Sequence, residues 1–109
     1  MFEQKYATSL VASSVGIDIQ IILWELIAQW EKGDIQVDAR QIFELSIEYA
    51  GGEVFQKIVH RQESPQRVET FYYKTIRYPI DAIIWVVGSD EGGEMMLPNE
   101  VKESDASTL

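Results

Sequence analysis

The chain contains no cysteine. Disulfides, thiolate metal centres, cysteine nucleophiles and dithiol redox motifs are therefore excluded. Bases are scarce: 9 Lys and Arg stand against 18 Asp and Glu, a formal charge of −9 over 109 residues. A protein that grips a nucleic-acid backbone needs surplus cations to displace counterions, so direct nucleic-acid binding is not expected. Histidine occurs once, at His60. Without thiols, a zinc site here would need three carboxylates around that one imidazole, an unusual donor set. The inventory thus implies no metal and no cofactor. Long apolar runs are also missing. The longest, Ala82 to Val87, is six residues, whereas a helical membrane span needs about 20. Residues 1–10 include Glu3, Gln4 and Lys5 and lack a signal-peptide core. The expectation is a cytoplasmic protein with no membrane partner.

What the chain does have is 46% hydrophobic residues, enough for the core of one small domain. The charge is unevenly spread. The last 21 residues hold six acids against Lys102 alone, a net −5, while the first 88 hold 12 acids and 8 bases, a net −4. With Gly88, Gly92, Gly93 and Pro98 added, the end of the chain reads as unable to order itself. The expected organisation is one domain over 1–88 and a disordered acidic tail over 89–109. Met95-Met96-Leu97 is an apolar island within that tail that could dock.

The expected fold is α+β: one long helix packed on a mainly antiparallel five-stranded sheet, in the order β-α-β-β-β-β. Tyr6 to Ala12 suits a short strand. Ile17 to Lys32 reads as the helix, with Asp18 as N-cap and Gly33 as its stop. Gly51-Gly52 marks a two-residue hairpin turn. A two-residue loop sets the register: Tyr49 opposite Val54, Leu45 opposite Ile58, Phe43 opposite His60. One face then carries Phe43, Leu45, Ile47, Tyr49, Val54 and Ile58 with Gln56 and His60. The other carries Glu44, Glu48, Lys57 and Arg61 among Ile42, Phe55 and Val59. Arg67 to Thr75 and Ile80 to Val87 supply two more strands. The second is apolar on both faces, as a central strand is, which assigns Trp85 to the core.

The helix carries more apolar surface than one sheet can cover. Its uninterrupted polar face is only Asp18, Glu25, Gln29 and Lys32, and Ile17, Ile21, Trp24 and Ala28 flank the main apolar arc. A protein partner or a second copy is the expected cover for Ile17, Ile21 and Trp24. His60 reads first as a histidine held by a hydrogen bond. The sharper reading puts it with Arg61 and Glu63 as an acid/base or ligand-binding cluster. Ser13, Ser14 and Ser64 lack a nucleophile-elbow context. Neither Gly-Gly pair is followed by the Lys or helix of a phosphate loop. No catalytic residue is assigned, and the chain is not read as an enzyme.

Several segments carry a resemblance. Tyr6-Ala7-Thr8, Ile21-Ile22-Leu23-Trp24, Gln41-Ile42-Phe43-Glu44-Leu45 and above all Gln56-Lys57-Ile58-Val59-His60-Arg61-Gln62-Glu63-Ser64-Pro65 resemble a family of short proteins of Gram-positive bacteria, their prophages and mobile elements. That family is a domain of unknown function, so the resemblance implies an α+β protein and lends no activity. It does suggest a phage or prophage origin. The functional expectation is a non-enzymatic protein-binding module. Its sharpest form is an inhibitor of a host nucleic-acid-binding defence protein such as a CRISPR nuclease. Ile17, Ile21, Trp24, His60, Arg61 and Glu63 are the candidate partner-binding residues. The alternative is a small-molecule binder or enzyme built on His60, Arg61 and Glu63.

Overall fold

A computed structural model describes residues 1–100 of the chain. It shows an α+β fold with a mixed six-stranded sheet and two helices on one of its faces. The elements run β1 (Lys5–Ala7), α1 (Ser9–Ser14), α2 (Ile17–Lys32), β2 (Arg40–Ala50), β3 (Glu53–Glu63), β4 (Gln66–Tyr73), β5 (Ala82–Ser89) and β6 (Gly92–Met96), then a 3₁₀ turn over Pro98–Glu100. In space the strands lie β1-β6-β5-β2-β3-β4. All neighbours are antiparallel except β1 and β6, which are parallel. No described helix is long and apolar enough to cross a membrane.

The long helix has the expected limits. Its N-cap is Gly16 and not Asp18, and Gly33 closes it by donating to the Trp30 carbonyl. Asp18 sits in the first turn, where Oδ1 accepts from the Ile19 N–H at 2.9 Å. A carboxylate there complements the helix dipole without capping. Ile19, Leu23, Ile27 and Trp30 turn inward and are buried. Each of these contributes roughly 2 kcal/mol of transfer free energy.

The hairpin forms in the expected register, with Tyr49↔Val54, Leu45↔Ile58 and Phe43↔His60. Gly51 and Gly52 adopt φ of +58° and +79°, which a side chain would strain. Phe43, Leu45 and Ile58 pack into the core with the helix residues. Near the tip the hairpin outruns the helix, so Tyr49 and Val54 on the same face are exposed.

Besides the Asp18 cap, three expectations fail. The strand over Tyr6 to Ala12 stops at Ala7, and a short helix replaces the rest. Thr8 is its N-cap, with Oγ1 accepting from the Val11 N–H at 3.2 Å. The helix drops Val11 into the core, fully buried. Second, the acidic end is not a tail from residue 89. β6 inserts between β5 and β1, and Met95 is fully buried in the core. Alternation along β6 puts Met95 inward and Glu94 outward, so the segment's charge stays in water while its apolar side chain is covered. Thr8 Oγ1 donates to Glu100 Oε1 at 2.8 Å, and the same Oε1 accepts from the Leu97 N–H at 2.9 Å. The sheet domain therefore passes Gly88. The remainder of the expected tail, 101–109, lies outside the described residues. Third, Trp85 is not in the core. Its partner across β2 is Ile42, and both lie on the face opposite the helices. β5 is central in the sheet as expected, but only one of its faces is covered.

Candidate functional site

His60, the one histidine, lies on β3. It is fully buried. Its ring lies between Trp30 and Phe43, with centroids 3.7 and 4.4 Å away and planes within 14° and 19° of parallel. Nε2 is 2.7 Å from Gln41 Oε1. The Gln41 amide donates to the Asp38 carbonyl at 2.8 Å and to Gln62 Oε1 at 2.9 Å. Gln41 Oε1 is thus an acceptor, and His60 Nε2 carries the proton. Gln62 in turn donates to the carbonyls of Gln36 and Pro65, at 2.8 and 2.9 Å. The His60–Gln41–Gln62 chain ties the loop before β2 and the β3–β4 turn to the core. The stretch that carries the family resemblance is therefore a buried polar network, satisfied except at His60 Nδ1 among the described residues. Burial, and secondarily the Arg67 charge, lower the His60 pKa to about 3. A neutral imidazole stacked between two aromatic rings and closed off from water supports packing rather than proton transfer.

Strand alternation separates the His60, Arg61 and Glu63 trio. His60 points to the helices, while Arg61 and Glu63 point to the opposite face. There Arg61 Nε pairs with Glu44 at 3.2 Å and Glu63 pairs with Arg40. The three do not line a common cavity. The helix candidates also divide. Ile17 and Ile21 are 69% and 51% exposed. Trp24 is half-buried by its own chain: it lies over Gly93 of β6, where a Cβ would come within 3.3 Å of Trp24 Cζ3, and Lys5 Nζ sits 5.9 Å from its ring.

The concave surface that does form lies on the open face of the sheet. Across β1, β6, β5 and β2, alternation brings Tyr6, Met96, Val87 and Trp85 outward. They line two adjoining depressions of about 350 and 440 Å³, which share Val87 and Met96. Glu91 and Glu94 border the first, and Asp38, Arg40 and Glu63 the second. The Arg40 guanidinium lies 4.8 Å from the Trp85 ring centroid. Four acids and one arginine thus frame an apolar floor. Reasoning from sequence missed this trough because it placed Trp85 in the core and β6 in a tail. The signal was present: one helix cannot cover both faces of a strand such as Ile83-Ile84-Trp85-Val86-Val87.

Helices on one face and a bare, acid-rimmed trough on the other define a two-layer α+β protein with an open-faced sheet. The chain belongs to the family described as Staphylococcal protein of unknown function (DUF960), whose family model matches residues 4–100. It is similar in fold to a crystal structure of a protein of unknown function from Enterococcus faecalis. That likeness has a TM-score of 0.71 at 20% identity and covers 94% of this chain and 99% of the other. Comparison with curated proteins finds no match.

Proposed function

We propose that this chain is a non-enzymatic protein-binding module that presents the open face of its sheet to a basic partner surface. The observation that carries this reading is the trough of Tyr6, Val87, Met96 and Trp85, uncovered by any described element and rimmed by Asp38, Glu63, Glu91 and Glu94. Tyr, Trp, Met and Arg are the residues enriched at interface cores. A contiguous apolar floor with a polar rim is the usual form of a docking surface. The net charge of −9 steers such a surface toward cationic partners and away from nucleic acid itself. Proteins that bind nucleic acid carry the matching basic grooves. A host defence nuclease, of the CRISPR type or another, is the partner class that this chain would occupy and block.

Affinity capture from a Gram-positive host lysate tests the reading when three baits are run together. The wild type should retain a basic protein. A Trp85→Ala/Val87→Glu double variant should lose it, and an Ile17→Ser/Ile21→Ser variant should keep it. The retained complex should dissociate steeply as salt rises. Equal retention by wild type and the trough variant overturns the proposal, as does loss from the helix variant alone.

A further inference from the structure

We propose that the outer edge of β4 is a homodimer interface, in which two copies pair their β4 strands antiparallel about a twofold axis through Val68. Three observations lead there. β4 ends the strand order, and its outer side pairs with no described strand. It spans Gln66–Tyr73 without proline or bulge, and its two charges, Arg67 and Glu69, both on the helix side, are of opposite sign, so they bar a copy paired in one register and admit it in another. The other edge, β1, is only three residues long. A strand of this length at the sheet edge leaves a row of backbone donors and acceptors that a second strand satisfies.

Charge selects the occupant and the register. A chain of net charge −9 repels its own copy over most of its surface. β4 is an exception, because its only charges are Arg67 and Glu69, which cancel. Centring the pair on Val68 sets Arg67 directly opposite the partner's Glu69, and Glu69 opposite the partner's Arg67. Centring on Glu69 or on Arg67 instead opposes like charges, which destabilises a strand pair. Centring on Thr70 sets both charges against aromatic residues. Only the Val68 register makes β4 complementary to itself. Within one chain, Arg67 Nη2 already lies 3.1 Å from Glu69 Oε1, and that same oxygen accepts from Trp30 Nε1 at 2.6 Å. Oε2 remains for the partner's Arg67, so the dimer closes a four-charge network on the helix side. On the open face, Val68, which is 53% exposed, packs against its symmetry mate. Thr70 lies opposite the partner's Gln66. The two six-stranded sheets become continuous; the depression at Tyr6, Glu91 and Glu94 lies toward the opposite edge, while Glu63 of the second depression sits at the β3–β4 turn beside the new seam. The two proposals fail separately because their tests use different strands: Trp85 and Val87 on β5 for partner capture, Arg67 and Glu69 on β4 for the dimer.

Sedimentation equilibrium on the full chain from micromolar to millimolar concentration tests the assembly. The wild type should rise from the 12.5 kDa of one chain toward twice that mass. Arg67→Glu and Glu69→Arg should each stay monomeric, since each opposes like charges across the axis. Their equimolar mixture should regain the dimer, because the heterodimer restores opposite charge at every cross-strand position. The Glu69 variant also loses its bond to Trp30, so an independent probe is needed that spares both charges. The chain has no native cysteine, and directly opposed Cβ atoms in an antiparallel pair lie within disulfide reach. Val68→Cys should form a covalent dimer under mild oxidation many times faster than Thr70→Cys or Tyr72→Cys. A wild type that remains at the mass of one chain throughout overturns the proposal. So does a mixture that fails to associate while both variants are folded, or crosslinking that is fastest at Thr70 or Tyr72.

Discussion

Replacing His60 by glutamine should remove most of the acid sensitivity that this fold owes to its one histidine. The folded imidazole is buried between Trp30 and Phe43 and has a pKa lowered from 6.5 to about 3. In the unfolded chain it titrates near 6.5. Between those values the unfolded state binds a proton that the folded state refuses. Stability therefore rises with pH across this window, by about 1.4 kcal/mol per unit, and is lost as pH falls from 6.5 toward 3. At about pH 4.5 the loss amounts to ~2.7 kcal/mol relative to neutral pH, a large share of the 5–15 kcal/mol typical of a small domain. Glutamine cannot titrate, and its amide can still donate to Gln41 Oε1. It forfeits the stacking, so the variant should be weaker at every pH. The informative quantity is the difference in unfolding free energy between neutral pH and about pH 4.5, measured by urea titration for both proteins. Carboxylates titrate in both and cancel in the comparison. The wild type should lose on the order of 2–3 kcal/mol more than His60→Gln over that interval. Equal losses would refute the claim that the imidazole is neutral and shut away from water.

Other consequences follow from packing. Met95 is fully buried, so Met95→Ala should cost about 2–5 kcal/mol in chemical denaturation. Truncation after Ser89 removes β6, and with it the strand that pairs with both β5 and β1; a circular-dichroism melt of that fragment should show no cooperative transition. A Cβ at Gly93 would come within 2.6 Å of Phe2 Cδ1, so Gly93→Val should overpack the site and lose roughly 1–3 kcal/mol. At the hairpin tip nothing lies near Gly52, yet its φ is +79°. Gly52→Val should therefore cost roughly 1–3 kcal/mol through strain alone, and Gly52→Asn clearly less.

The elements legible in the sequence are those whose information is local. Gly51-Gly52 and the alternation around it suffice for the β2–β3 register, because a two-residue turn admits one pairing and a slip would invert every side chain. Ile17 to Lys32 is readable because its periodicity spans several turns and ends in Gly33. The resemblance stretch from Gln56 to Pro65 was visible as a pattern, but its meaning was not. That Gln41, His60 and Gln62 join hands inside the core depends on β2 and β3 lying side by side beneath the helix.

Tertiary structure alone decided the fate of residues 8–14 and 92–96. Thr8 to Ser14 is too short for periodicity to distinguish strand from helix, and the cap at Thr8 together with the seat for Val11 settles it. Residues 92–96 look soluble by composition, since Gly, Glu and two methionines carry little local preference for a strand. They become one because β5 on one side and β1 on the other satisfy their backbone, and because Met95 fills a space lined by residues far away in sequence. The same long-range insertion uncovers the trough. By sequence, Trp85 is simply an aromatic residue in an apolar run. It faces solvent because both helices pack on the other side of the sheet, and the side on which a helix packs is determined by how the whole chain closes rather than by any single strand.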